Sequence, residues 1–236
     1  MRVVPAPTTS VVAAITIGQT PRPDLLAPLR ERVREGMTII EVGALDELTA
    51  VDIASRPPRP SASANRYPLT TRLRDGSVVT LDEDDLAPLV QHAVDRAQHA
   101  GADVTLLLCA GGFSDVTALG PLVRPFDAAV ATAQRIGARS VVVAVPYEGQ
   151  TSSAHRKWVA AGFDVRMIVG DIAALDLPVD PVVDAIILDY VGHAARDVRA
   201  LRARSSVAVI DLGECGAETA VASLATRGNE REAEVR

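Results

Sequence analysis

The 236-residue sequence is poor in cysteine, in aromatic residues and in long apolar runs, and it carries no excess of basic charge. Two cysteines are too few for a disulfide scaffold or a cysteine-rich metal site, and no His-x-x-x-His pair or acidic calcium loop is present, so we expect no metal. Twenty-four basic residues against thirty acidic ones give a formal net charge of -6, which argues against a nucleic-acid partner. The apolar runs reach only strand length, whereas a membrane span needs roughly 20 residues, so no membrane partner is expected either.

Two further absences concern location and cofactors. The apolar run 11–17 is too short for a signal peptide and is followed at once by Gly-Gln-Thr-Pro, which predicts a cytoplasmic protein. No Gly-x-Gly-x-x-Gly or Walker loop is present, and we expect the protein to work without a cofactor.

Short β-branched runs alternate with segments of helical spacing along most of the chain. The runs cover residues 11–17, 37–42, 104–108, 141–145, 165–169, 186–188 and 207–210, and the helical segments cover 24–34, 84–99, 125–136, 151–161, 194–202 and 214–225. Most runs are continuously apolar, as strands buried on both faces are. This alternation predicts an α/β fold with mostly parallel sheets, in which ligands bind beyond the carboxyl ends of the strands.

Three stretches depart from this alternation. Residues 55–65 are rich in Pro and Ser and are predicted to form a loop. Residues 67–81 are predicted to form an inserted β-hairpin, because Asp75-Gly76 suits a tight two-residue turn. The charged C-terminal residues 227–236 lack an apolar stripe and are predicted to fray.

A weak internal symmetry suggests two facing halves. Residues 103–112 and 184–192 share a leading Asp, an apolar strand, a chemically distinctive residue at the strand end and a following Gly. We therefore expect two pseudo-symmetric Rossmann-like halves across a cleft. The first would comprise residues 1–116 with 212–236, and the second residues 117–211.

Cys109 is the first candidate for catalysis. It ends a buried strand and precedes Gly111 and Gly112, whose backbone amides would face a bound anion and lower the pKa of the thiol. The alternative is that Cys109 is a small apolar residue that closes a strand. Cys215 opens the last helix and is predicted to be a packing residue.

The loop after the first strand is a candidate carboxylate site. Gly18, Gln19, Thr20 and Arg22 offer amides, a hydroxyl and a guanidinium within a few residues. The alternative is a helix entry with a solvated arginine. If the first interpretation holds, loss of Arg22 should weaken carboxylate binding more than loss of Arg72 on the hairpin.

Two loops of the second half also follow strand ends. Their candidate residues are Tyr147, Glu148 and Gln150 in one loop and Tyr190, Gly192 and His193 in the other. Glu148 also fits a first-turn acid favoured by the helix dipole, and His193 also fits an ordinary surface residue.

Taken together, several motifs resemble the AroM family over most of residues 11–225. They are Thr-Ile-Gly-Gln-Thr-Pro-Arg at 16–22, the hairpin 67–81, Leu-Leu-Cys-Ala-Gly at 107–111, Val-Pro-Tyr-Glu-Gly-Gln at 145–150 with Lys157-Trp158, and Leu-Asp-Tyr-Val-Gly-His at 188–193. The resemblance implies a branch of the aspartate/glutamate racemase superfamily, with two α/β halves and an active site between them.

In racemases of that superfamily, one cysteine from each half flanks the substrate's α-carbon. Cys109 matches the first cysteine, but Tyr190 stands at the second position. A phenol is a weak base and a usable acid, so reactions that need only one thiol are favoured over racemisation. These reactions are thiolate addition, isomerisation, and protonation of a carbanion after decarboxylation. The segment 170–183 is also short for the superfamily and is predicted to be a truncated crossover.

Two functions fit these observations. The first is a cofactor-independent, cysteine-dependent isomerase, racemase-like or decarboxylase-like enzyme that acts on a small carboxylate, with Cys109 and Tyr190 as its catalytic groups. The second is a non-catalytic protein that binds a small carboxylate on the same fold. The sequence leaves open whether the protein forms a homo-oligomer.

Overall fold

Strands and helices alternate through residues 9–58, 68–175 and 183–234, which are the residues described by this computed structural model. The strands are β1 Ser10–Thr16, β2 Met37–Gly43, β3 Pro68–Arg72, β4 Val78–Asp82, β5 Val104–Leu107, β6 Leu122–Val123, β7 Ser140–Val145, β8 Asp164–Val169, β9 Ala185–Leu188 and β10 Ala208–Asp211. The helices are α1 Pro23–Arg30, α2 Ala50–Ala54, α3 Glu83–His99, α4 Pro125–Arg135, α5 Thr151–Ala160, α6 Ala195–Arg204 and α7 Leu212–Glu234. The predicted α/β class is confirmed.

Two parallel four-stranded sheets form the framework. Their strand orders are β2-β1-β5-β6 and β10-β9-β7-β8, and every pairing within them is parallel. The central strands are buried along most of their length, which explains why they read as continuous apolar runs. The first sheet extends past the predicted boundary at residue 117, because β6 pairs with β5. The division into two domains stays a prediction.

One apolar cluster joins the two sheets. It contains Val12 and Leu106 from the first sheet, Val143 and Ile187 from the second, and the fully buried Trp158 of α5. Helix α7 packs against α1 and α4 and against strands β1 and β5. Because the side chains of both sheets share this core, the two sheets are fixed relative to each other.

The predicted hairpin is confirmed, but its turn is longer than predicted. Strands β3 and β4 pair from Pro68 with Asp82 to Arg72 with Val78. A two-residue primed turn needs positive φ at the first central residue and, in type I′, at both, but in this turn only Gly76 has one, at 87°. The Leu73 N–H donates to the Ser77 carbonyl at 2.8 Å, which leaves a loop of three residues, 74–76. The side chain of Asp75 accepts hydrogen bonds from Ser77, at 2.9 Å from N and 2.6 Å from Oγ, and stabilises this loop.

The other local predictions concern the C-terminus, two loop segments and membrane spans. The prediction that residues 227–236 fray is wrong for residues 227–234, because α7 continues to Glu234, and residues 235–236 lie outside the described residues. Residues 55–58 form no helix or strand, and the rest of the predicted loop, residues 59–65, lies outside the described residues. Residues 170–175 contain a turn, whereas most of the predicted truncated crossover lies outside the described residues. No helix in the described ranges is long and apolar enough to cross a membrane.

The hairpin contacts the loop after β1 at Gly18. A Cβ atom at Gly18 would lie 2.4 Å from both the carbonyl oxygen of Arg72 and Oγ1 of Thr71. The neighbouring Gln19 N–H donates to the same Arg72 carbonyl at 3.3 Å. Glycine is therefore required at residue 18 because the backbone of the hairpin approaches it too closely for a side chain.

We expect Gly18→Ala to lower the free energy of unfolding by about 1 to 3 kcal/mol, since the added methyl group must displace the hairpin backbone. Urea unfolding measures the loss. The matched control is Gly149→Ala, because a Cβ there meets no heavy atom within 4 Å. Equal effects of the two substitutions would contradict the close approach.

Candidate active site

A cavity of about 470 Å³ lies at the carboxyl ends of strands from both sheets and is bordered by the hairpin. It is lined after β1 by Ile17, after β5 by Cys109, after β7 by Tyr147 and after β9 by Tyr190, and β3 contributes Thr70 and Arg72. Parallel strands place their following loops at one edge of a sheet, and here two such edges meet.

The cavity collects about half of the predicted site residues. Its lining includes Arg22, Cys109, Gly111, Gly112, Tyr147, Gln150 and Tyr190. The other predicted residues, Gly18, Gln19, Thr20, Glu148, Gly192 and His193, lie outside its described lining.

Gln19 and Thr20 hold the loop in place. The Gln19 side chain donates to the Leu45 carbonyl at 3.0 Å and accepts from the Arg74 N–H at 3.0 Å. The backbone N–H and the hydroxyl of Thr20 both donate to the carboxylate of Asp46, at 2.8 and 2.9 Å. Our expectation that Thr20 binds a substrate carboxylate is therefore corrected: the carboxylate that it binds belongs to the protein.

Arg22 is also engaged internally. Its side chain is buried, and its Nε and Nη2 donate to the two carboxylate oxygens of Asp24 at 2.9 and 2.7 Å. Its backbone N–H donates to Glu41. Burial alone would raise the pKa of Asp24, but the hydrogen bonds and charge of Arg22 outweigh that effect and leave the pKa below its usual value. Arg22 thus pairs its charge and two of its five N–H donors with Asp24 in the same loop.

The thiol of Cys109 is buried and protonated. The Gly111 N–H donates to its Sγ at 3.2 Å, as the predicted glycine loop would allow. Burial nevertheless raises the pKa of Cys109 to about 11; the carboxylates of Glu83 and Asp189 reinforce that rise, and the Lys157 ammonium opposes it. The expectation that nearby amides produce a thiolate near neutral pH is therefore wrong.

Tyr190 also keeps its proton. Burial raises the pKa of the phenol, and the neighbouring Tyr147 adds to the rise. The Tyr190 ring packs edge-on against His193, with centroids 5.2 Å apart. Burial lowers the pKa of His193 to about 4, so its imidazole is neutral near pH 7. Gly192, with φ of 119°, turns the chain between these two side chains.

Sequence reasoning missed the role of Lys157, the only lysine of the chain. Its Nζ donates to the Ala110 carbonyl at 2.8 Å and to Oδ1 of Asp189 at 2.7 Å. Ala110 follows Cys109, and Asp189 precedes Tyr190, so one ammonium group joins the loops that carry both candidate catalytic groups. The sequence does contain a signal for this role, because the single lysine of the chain lies in a helix that directly follows a strand-end loop.

Glu83 holds the Cys109 loop from the other side. Its carboxylate accepts the Phe113 N–H at 3.1 Å, and Phe113 has a left-handed φ of 42°. Such a conformation costs energy in a residue with a side chain and recurs near functional sites. Cys215, by contrast, lies in the apolar cluster shared by the two sheets, in agreement with a packing role.

Two sheets with facing strand ends and a cavity between them define the racemase-like α/β fold, and solved structures agree. Allantoin racemase from Klebsiella pneumoniae is 17% identical with a TM-score of 0.58, covering 93% of this chain and 89% of its own. Maleate isomerase Iso from Pseudomonas putida S16 is 15% identical with a TM-score of 0.55, covering 92% and 94%. Unliganded arylmalonate decarboxylase is 14% identical with a TM-score of 0.55, covering 92% and 93%.

The family follows from the sequence match. The family model described as AroM protein matches residues 12–210, and the chain belongs to the AroM family. No curated protein matches the sequence. The resemblance inferred from the motifs is confirmed.

The rate of alkylation of Cys109 by iodoacetamide should be low at pH 7 and rise about tenfold per pH unit up to pH 9, because the thiolate fraction rises in that way below the pKa. The rate is measured by mass spectrometry in a Cys215→Ser background, with glutathione as the reference thiol. A plateau below pH 8 would show that the thiol has a low pKa.

Lys157→Met should destabilise the fold by about 1 to 3 kcal/mol, because the buried Asp189 carboxylate loses a charged hydrogen-bond donor. The double variant Lys157→Met with Asp189→Asn removes the charge as well and should recover part of this loss. Urea unfolding of the single and double variants gives the coupling energy. Strict additivity would contradict the ion pair's structural role.

Proposed function

We propose that this protein is a cofactor-independent enzyme that acts on a small carboxylate in the cavity, with Cys109 as the main proton donor and Tyr190 as a second acid. One observation carries the proposal: the cavity is lined by a thiol that follows β5 and a phenol that follows β9, one from each sheet. A thiol and a phenol that line one cavity can both serve as proton donors to a bound substrate.

The size of the cavity and its cationic groups support a small anionic substrate. Its lining includes the cationic side chains Arg22, Arg72 and Lys157 and the acidic side chains Glu83, Asp84, Asp115 and Asp189. Lys157 pairs with Asp189, so part of the acidic charge is already neutralised within the protein. A volume of about 470 Å³ is within the range of sites for small molecules. The likeness to racemases, an isomerase and arylmalonate decarboxylase supports an enzyme of this superfamily.

The protonation of the site favours decarboxylation among the reactions that such a fold supports. Racemisation begins with removal of a proton, and the raised pKa values of Cys109 and Tyr190 leave both groups protonated near pH 7. Decarboxylation generates a carbanion without a base: the bond from the α-carbon to one carboxylate breaks, CO₂ leaves, and the electron pair stays on the α-carbon.

The carbanion would then take the proton of the Cys109 thiol. A new C–H bond forms as the S–H bond breaks, and the thiolate is reprotonated by water for the next cycle. The Gly111 N–H lies 3.2 Å from the sulfur, and the Lys157 ammonium also lowers the pKa of Cys109, so both groups stabilise the thiolate as it develops. Donors fixed in advance lower the barrier because they need no reorganisation.

The second candidate function is a non-catalytic carboxylate-binding protein. The same protonation supports it, because neither Cys109 nor Tyr190 is a base near pH 7. Such a protein would bind a carboxylate equally well after Cys109→Ser.

The test is the conversion of phenylmalonate and α-methyl-α-phenylmalonate in D₂O, followed by proton NMR and chiral chromatography. Wild-type protein should release CO₂ and place one deuterium on the α-carbon, giving one product enantiomer from the methylated substrate. Cys109→Ser should lower the rate by about 10² to 10⁴, and Tyr190→Phe should have a smaller effect, as expected for the loss of an acid.

Cys215→Ser is the matched control and should keep the wild-type rate, since this thiol lies in the apolar core. Turnover that survives Cys109→Ser would contradict the assignment of Cys109. Carboxylate binding by calorimetry with no turnover of phenylmalonate, of maleate or of amino acids would support the non-catalytic alternative.

A further inference from the structure

The three cationic side chains of the cavity differ in their partners. Arg22 donates two hydrogen bonds to Asp24, and Lys157 donates to Asp189 and to a backbone carbonyl. The guanidinium of Arg72 has no hydrogen-bond partner or ion pair among the described residues. Arg72 is therefore the one arginine of the described lining whose charge is not already paired with a carboxylate of the protein.

The backbone of Arg72 is nonetheless well fixed. Its carbonyl accepts the Gln19 N–H, the preceding Thr71 is buried, and Arg72 forms the last β3–β4 pair with Val78. Arg74, two residues further on, donates instead to the Thr20 carbonyl and to Asp46, away from the cavity. The hairpin thus carries one arginine that fixes the loop and one that lines the cavity.

Arg72 also lies within electrostatic reach of a candidate acid. Burial is the largest influence on the pKa of Tyr190 and raises it, whereas the charge of Arg72 lowers it. The same charge contributes to the lowered pKa of Asp24. An anion bound by Arg72 would consequently lie near Tyr190.

We propose that Arg72 of the inserted hairpin, and not Arg22, binds the carboxylate of the substrate. The assignment rests on the proposed function and deepens it, because it makes the hairpin the element that selects for an anionic group. Arg22 becomes a positioning residue that holds Asp24 and the loop after β1.

The physical reason is the difference in the hydrogen bonds that each arginine must break in order to bind a carboxylate. A carboxylate that binds to the Asp24-facing edge of Arg22 must displace Asp24 and break two charge-assisted hydrogen bonds, of 2.9 and 2.7 Å. A carboxylate at Arg72 breaks no hydrogen bond of the guanidinium among the described residues. Two of the three N–H donors of Lys157 are engaged, so the third can donate to a second carboxylate group, which suits a dicarboxylate.

The test is the binding of phenylacetate, a stable monocarboxylate, measured by calorimetry, with neutral phenylacetamide as the reference ligand. Arg72→Ala should weaken phenylacetate binding about 10- to 150-fold, as expected for the loss of charged hydrogen bonds, and should affect phenylacetamide much less. The melting temperature of Arg72→Ala should stay at the wild-type value, because no described contact of its guanidinium is lost. Arg72→Lys should recover part of the affinity.

Arg74→Ala is the matched control on the same hairpin and should bind phenylacetate within about twofold of wild type. Arg22→Ala should weaken binding less than Arg72→Ala but lower the melting temperature, because Asp24 loses its partner. Unchanged binding by Arg72→Ala, or a greater loss with Arg22→Ala, would overturn the assignment and leave the proposed enzyme intact. A wild-type protein that neither binds phenylacetate nor converts phenylmalonate would overturn both.

Discussion

The apolar core shared by the two sheets is the constraint on which the site depends. Val12 and Leu106 on one sheet and Val143 and Ile187 on the other belong to one buried cluster, so the sheets cannot move apart without exposing it. The strand ends of both sheets therefore border one cavity before any ligand arrives. Lys157 adds a polar connection at that edge, since its ammonium group contacts the loops after β5 and β9.

Burial and internal pairing together determine which charges remain for a ligand. The loop after β1 uses its polar groups on itself and its neighbours: Thr20 on Asp46, and Arg22 on Asp24. Burial keeps the proton on Cys109. Because oxidants react with the thiolate, a protonated thiol is oxidised more slowly. In the proposed decarboxylation, negative charge would develop on the substrate's α-carbon, so the thiol needs no prior ionisation.

The sequence predicted the strands and helices, but it did not predict which side chains form hydrogen bonds or ion pairs with each other. Strands buried on both faces read as apolar runs, so the framework and the loops beyond the strand ends were predictable. The partner of Thr20 is 26 residues away, at Asp46, and the carboxylates that act on Cys109 come from α3 and from the loop after β9. Such contacts depend on the assembled fold, and local patterns of residue types do not encode them. The length of the hairpin turn was predicted wrongly for a local reason: Asp75 accepts hydrogen bonds from Ser77, and these stabilise the longer loop.

The hairpin forms its own two-stranded sheet, separate from the hydrogen-bond ladders of the two parallel sheets. Its backbone contacts the loop after β1 at Gly18 and Gln19, and its Leu81 is buried in an apolar cluster with Ile15 and Leu107 of the first sheet. The exposed cavity-lining residues Thr70 and Arg72 can therefore change while Leu81 and the strand registers of both sheets stay unchanged. Substitution at these two positions could in this way give the same framework new ligand preferences with no change to its core.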